Sequence, residues 1–80
     1  MASTELDLAA LEAQLLTALK AGDQLEQIRL YRLAGEHHLA SGEIDEGCFL
    51  LTNAWVLALA AGDPVEAGLH DMLARHGRVP

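Results

Sequence analysis

Ala18-Leu19-Lys20-Ala21-Gly22-Asp23 recurs, with one substitution, as Ala58-Leu59-Ala60-Ala61-Gly62-Asp63. Between them lies Ser41-Gly42-Glu43, so a glycine followed by an acid falls at Gly22, Gly42 and Gly62, every 20 residues. Glycine takes the left-handed conformation that closes a helix, and an acid just beyond it suits the positive start of the next one. Pro64, after Asp63, fits the first helical position behind an N-cap. The spacing predicts one all-α domain, residues 1–80, of four short helices at about 4–21, 24–41, 44–61 and 64–76. Turns this tight place successive helices antiparallel.

Composition agrees with that reading. Leucine supplies 16 of the 80 residues and alanine 14, whereas valine, isoleucine and threonine together supply 8. Helix formers are abundant and strand formers scarce, which excludes an all-β fold. An apolar content of 51% excludes intrinsic disorder. A chain this short buries only about 60% of its unfolded surface, so its own core is small and self-association is a natural supplement.

Twelve acids against five bases give a net charge of −7. Between Arg32 and Arg75 there is no lysine or arginine, but Glu36, Glu43, Asp45, Glu46, Asp63, Glu66 and Asp71 all fall there. Nucleic acid binding needs cations that displace condensed counterions, and anionic membrane surfaces need them too. Neither nucleic acid nor membrane is an expected partner. The apolar stretch Gly47–Ala61 is about 15 residues, shorter than the roughly 20 of a bilayer span. The N-terminus Met1-Ala2-Ser3-Thr4-Glu5 lacks the basic start and apolar run of a signal peptide. The expected location is cytoplasmic.

Projected at about 100° per residue, the first helix gathers Leu8, Leu11, Leu15 and Leu19 on one stripe. The second collects Ile28, Tyr31, Ala34, Gly35 and His38, opposite Arg29, Arg32 and Glu36, with Arg32 and Glu36 spaced as an i,i+4 pair. The fourth aligns Val65, Leu69, Met72 and His76. The third helix has a core face of Ile44, Gly47, Cys48, Leu51, Trp55 and Ala58, yet Phe49, Val56 and Ala60 lie opposite, with Leu50 and Leu57 beside them. A helix apolar almost all round must be covered all round. Either helix 3 is enclosed by the others, or its second face meets another molecule. Phe49, Leu50, Val56 and Leu57 are the candidate interaction surface.

Tyr31-x-x-Ala34-Gly35-x-x-His38 has the spacing of the first helix of a tetratricopeptide repeat. Gly47, Leu51 and Ala54 fall at the small, aromatic and small positions of its second helix, and Gly42 falls at the turn. One unit, about 28–61, therefore resembles a relaxed tetratricopeptide hairpin, and the wider chain is similar to short bacterial tetratricopeptide-like proteins. His38 replaces the family's tyrosine, Leu51 its phenylalanine and Leu59 its proline. The small residues let two helix backbones approach closely. The resemblance implies a helical hairpin that presents a surface to a protein or peptide.

The residues that carry chemistry do not assemble into a familiar motif. His37 and His38 diverge by about 100° on a helix. His38 falls on the core face, His76 ends the apolar stripe of helix 4, and His70 projects to the opposite side, toward water. No HExxH or paired CxxC is present for zinc; a His37–Glu43–Asp45 cluster across the second turn is the metal alternative. Cys48 lies on a core face near Glu43, Asp45 and Glu46, surroundings that disfavour a thiolate. Lys20 is the only lysine and no phosphate-loop motif exists. Neither Ser3 nor Ser41 stands in the Asp-Ser-Leu context of an acyl carrier protein. The expectation is a protein that is no enzyme and takes no cofactor or metal. It would bind protein, as a homodimer through helix 3 or as a small acidic chaperone or adaptor for a partner helix. A small-ligand or metal-binding bundle is the alternative from another class.

Overall fold

A computed structural model describes residues 8–79, with the side chain of Leu8 outside that set. All regular structure among the described residues is helical: α1 Leu8–Ala21, α2 Gln24–Ala40, α3 Ile44–Ala61 and α4 Glu66–Arg75. Residues 4–7, expected to begin the first helix, lie outside the described residues.

Three turns carry the expected geometry. Gly22, Gly42 and Gly62 have φ of 67°, 83° and 67°. Behind each, the amide of the following acid reaches back five residues: Asp23 to the Ala18 carbonyl, Glu43 to His38, and Asp63 to Ala58. This closure satisfies carbonyls that the helix end leaves without partners. Asp23 then caps α2, its Oδ1 accepting from the Glu26 amide at 3.1 Å. The fourth helix begins two residues later than expected. Asp63 Oδ1 accepts from the Val65 amide at 2.9 Å and its carbonyl from Glu66, so Asp63-Pro64-Val65 form a separate turn ahead of the helix.

The helices follow one another side by side: α1 packs on α2, α2 most extensively on α3, and α3 on α4. The crossing of α2 and α3 is very close. A Cβ on Gly35 would lie 2.8 Å from Leu51 Cγ and 3.0 Å from the Gly47 carbonyl. A Cβ on Gly47 would lie 2.8 Å from Leu39 Cγ and 2.9 Å from the Gly35 carbonyl. Each backbone occupies the space a side chain would need on the other.

Two apolar clusters result. One joins α2, α3 and α4 through Ile28, Cys48, Leu51, Ala54, Ala58, Leu69 and Leu73. The other joins α1 to α2 through Leu11, Ala18, Leu30 and Ala34, with Leu15, Leu33 and Leu50 against it. Several expected faces shift accordingly. Ala18 is buried and Leu19 largely open, because α1 leans its Leu11–Ala18 edge onto α2. Leu30 is fully buried because α2 is covered on two sides. Ile44 is exposed at the mouth of the third helix, and Leu73 joins Leu69 in the core while His76 is exposed.

Polar braces tie the ends. Gln27 Nε2 donates to the Ala18 carbonyl at 3.1 Å in a buried site, fixing α1 to α2. Arg78 Nη2 contacts Asp45 Oδ1 at 2.6 Å, bringing the segment after α4 to the start of α3. Asp45 also holds the Arg78 guanidinium above its ordinary pKa, chiefly by hydrogen bonding. The expected Arg32–Glu36 pair forms at 3.2 Å, and Arg29 forks onto Glu26 at 2.7 and 2.9 Å.

At 18 residues, α3 is long and apolar enough to cross a bilayer by length and composition, which revises the shorter 15-residue reading. A core helix meets the same criteria, and here Gly47, Cys48, Leu51, Ala54 and Ala58 are buried within the protein.

Candidate interaction groove

The four residues expected to share an interaction face are divided by the structure. Phe49 is 64% exposed and Val56 53% exposed. Leu50 instead turns into the α1–α2 cluster, and Leu57 is half-buried against the α2–α3–α4 core. The reason is angular: Leu50 and Leu57 are rotated about 100° from Phe49 and Val56, toward α2, which both clusters share.

Phe49 and Val56 border an open groove of about 320 Å³ between α1 and α3, over α2. Leu19 comes from α1, Gln27 and Tyr31 from α2, and Thr52, Asn53 and Leu57 join them from α3. Leu19, Gln27, Tyr31, Thr52 and Asn53 were not anticipated as site residues. The sequence signal available was the i,i+3,i+4,i+7 spacing of Phe49, Thr52, Asn53 and Val56. The contributions of α1 and α2 depend on helix packing and had none.

The polar members of the groove are already bonded within the protein. Thr52 Oγ1 donates to the Cys48 carbonyl at 2.7 Å and Asn53 Nδ2 to the Phe49 carbonyl at 2.9 Å. Gln27 is held by Ala18 as described. The lining carries no ionisable acid or base except the Tyr31 phenol, in a chain of net charge −7.

The histidines go to separate places. His38, 18% exposed, sits with Nδ1 2.6 Å from Glu43 Oε1, bracing the α2–α3 turn. Glu43 thus meets His38 rather than His37, and Asp45 is taken by Arg78, so the His37–Glu43–Asp45 arrangement is not formed. His70 was expected to face water. It is half-buried instead, its ring 5.5 Å from Trp55, because α4 turns that side onto α3. Trp55 is half-buried and donates Nε1–H to Glu66 Oε2 at 3.0 Å. Cys48 is buried. Among the described residues, no three of His, Cys, Asp and Glu converge as a metal site.

The fold and groove define an all-α bundle with an open, uncharged apolar recess. No family model matches the chain, and no curated protein or solved structure matches it significantly. The tetratricopeptide likeness therefore rests on residue spacing alone.

Proposed function

We propose that this chain is a non-enzymatic protein–protein interaction module, a tetratricopeptide-like hairpin that self-associates through the exposed face of α3. The observation that carries the reading is the pair Phe49 and Val56, more than half exposed one above the other beside a groove that already has apolar walls. Large exposed apolar side chains gathered on one face mark interaction sites. Covering what Phe49 and Val56 leave open is worth about 2–3 kcal/mol per copy, scaling the value of a fully buried side chain by the exposed fraction.

The test is sedimentation velocity over a micromolar concentration series, comparing the native chain with a Phe49→Glu, Val56→Glu variant. Concentration-dependent association that disappears in the variant supports the role. Identical behaviour of the two proteins, in association and in binding to any partner, refutes it.

A further inference from the structure

We infer that Gly77, Arg78 and Val79 form a strap that latches the last turn of α4 over the start of α3, with the Arg78–Asp45 ion pair as its catch. Opening the strap uncovers Cys48 and Leu73 while the rest of the bundle stays folded. The latch belongs to the α3–α4 seam and does not depend on the groove or on the role proposed for it.

The backbone builds the strap. Gly77 has φ of 68°, a conformation open to glycine, and turns the chain back at the end of α4. The amides of Gly77 and Arg78 donate to the carbonyls of Ala74 and Leu73, each at 3.0 Å. These bonds fasten the strap to the last turn of α4, so the two move together. Val79, half-buried, then packs against the cluster that contains Cys48, Leu69 and Leu73. The opposite end of α4 is pinned by Glu66, which accepts from Trp55 Nε1 at 3.0 Å. The end free to lift is the one that carries the strap.

The catch stands beside the thiol. Asp45 and Cys48 are three residues apart on α3 and so share a face. Arg78 Nη2 meets Asp45 Oδ1 at 2.6 Å. Asp45 first, and Cys48 to a smaller degree, favour the charged guanidinium, which places Arg78 within electrostatic reach of the thiol. The other ion pairs among the described residues join positions three to five apart, whereas this one spans 33. A pair so distant in sequence holds two elements together rather than supporting a helix already formed. It is also weak, because the Asp45 side chain is 93% exposed and that of Arg78 38%. The helix it fastens is short, at 10 residues, and has no side-chain cap at its start. Elements held by so little open before the whole domain does.

Cys48 is the only cysteine, and it reports the opening. The test is its rate of modification in the full native chain by a neutral reagent, methyl methanethiosulfonate. Asp45→Asn and Arg78→Gln should each speed modification about 2- to 5-fold, the range an exposed ion pair supplies. The double variant should match the single ones rather than multiply them. Salt at about 1 M should speed the native chain by a similar factor and leave the double variant unchanged. Glu26→Gln, which breaks an exposed pair away from the strap, should react at the native rate. Low urea concentrations should scarcely alter the native rate, because a local opening exposes little new surface. The direction of change separates a latch from a direct effect on the thiol. Losing a nearby cation would slow the thiol and losing a nearby carboxylate would speed it, whereas losing the catch speeds both variants. Opposite shifts, no shift, or a double variant that multiplies the single effects overturns the latch. So does a rate that climbs with urea as steeply as global unfolding, since Cys48 would then be reached only by unfolding the whole chain.

Discussion

Replacing Gly35 by alanine puts a methyl group into occupied space. Its Cβ would stand 2.8 Å from Leu51 Cγ, 2.9 Å from Leu51 Cδ2 and 3.0 Å from the Gly47 carbonyl. Leu51 is fully buried and the carbonyl belongs to the opposing backbone, so relief requires the two helices to part. Overpacking of this kind costs about 1–3 kcal/mol. Against it stands the helix propensity of alanine, about 1 kcal/mol better than glycine. The net expectation is a loss of roughly 0–2 kcal/mol, against a gain at an open site. A domain of 80 residues has only about 4–12 kcal/mol in total. Gly47→Ala should lose a similar amount, since half-buried Leu39 can yield but the Gly35 carbonyl, 2.9 Å from the added Cβ, belongs to the opposing backbone. Gly68, in α4, supplies the control, because nothing lies within 4 Å of its added Cβ. Gly68→Ala should therefore gain about 0.5–1 kcal/mol. Urea unfolding followed by helical dichroism and Trp55 fluorescence reads all three. The argument is refuted if Gly35→Ala stabilises the protein as Gly68→Ala does, because the crossing would then have room that the distances deny.

Two further outcomes follow from the polar braces. Trp55→Phe keeps a ring in place but deletes the bond to Glu66, and should cost about 1–2 kcal/mol in urea unfolding followed by helical dichroism alone, with Glu66→Gln costing less. The Arg29 hydrogen bond lowers the pKa of Glu26 below its ordinary 4.5. Folding stability from this pair is therefore present above pH 4.5 and is lost as pH falls through the lower folded value. The pair is exposed, so Glu26→Gln should barely move the melting temperature at neutral pH but should flatten the acid side of its pH profile.

What the sequence disclosed depended on the range of the physics. Left-handed glycine is decided by the residue itself, so the boundaries of α2 and α3 agree with the expected ones to within a residue. The small pair Gly35 and Gly47 likewise announced a close crossing through the absence of side chains. Asp63-Pro64-Val65 misled by two residues because a side-chain bond from Asp63 competes with helix entry. The partition of Phe49 and Val56 from Leu50 and Leu57 required the position of α1, which no periodicity within α3 contains. Leu30 escaped notice because α2 has two covered sides, so its apolar arc has no single centre. The bonds of Trp55 to Glu66 and of Arg78 to Asp45 join residues 11 and 33 positions apart, without any local signal.

The sequential side-by-side order of the helices has a kinetic consequence. Each major packing surface joins elements that are neighbours in the chain, separated by turns of two to four residues. Closing such short loops loses little chain entropy, and proteins built from local contacts fold in microseconds to milliseconds. The α2–α3 hairpin, with the most extensive contact, is the natural nucleus, and α1 and α4 add to its two sides. Amide hydrogens of α1 should therefore exchange through openings that leave the hairpin intact, making the wall that carries Leu19 the most readily released part of the groove.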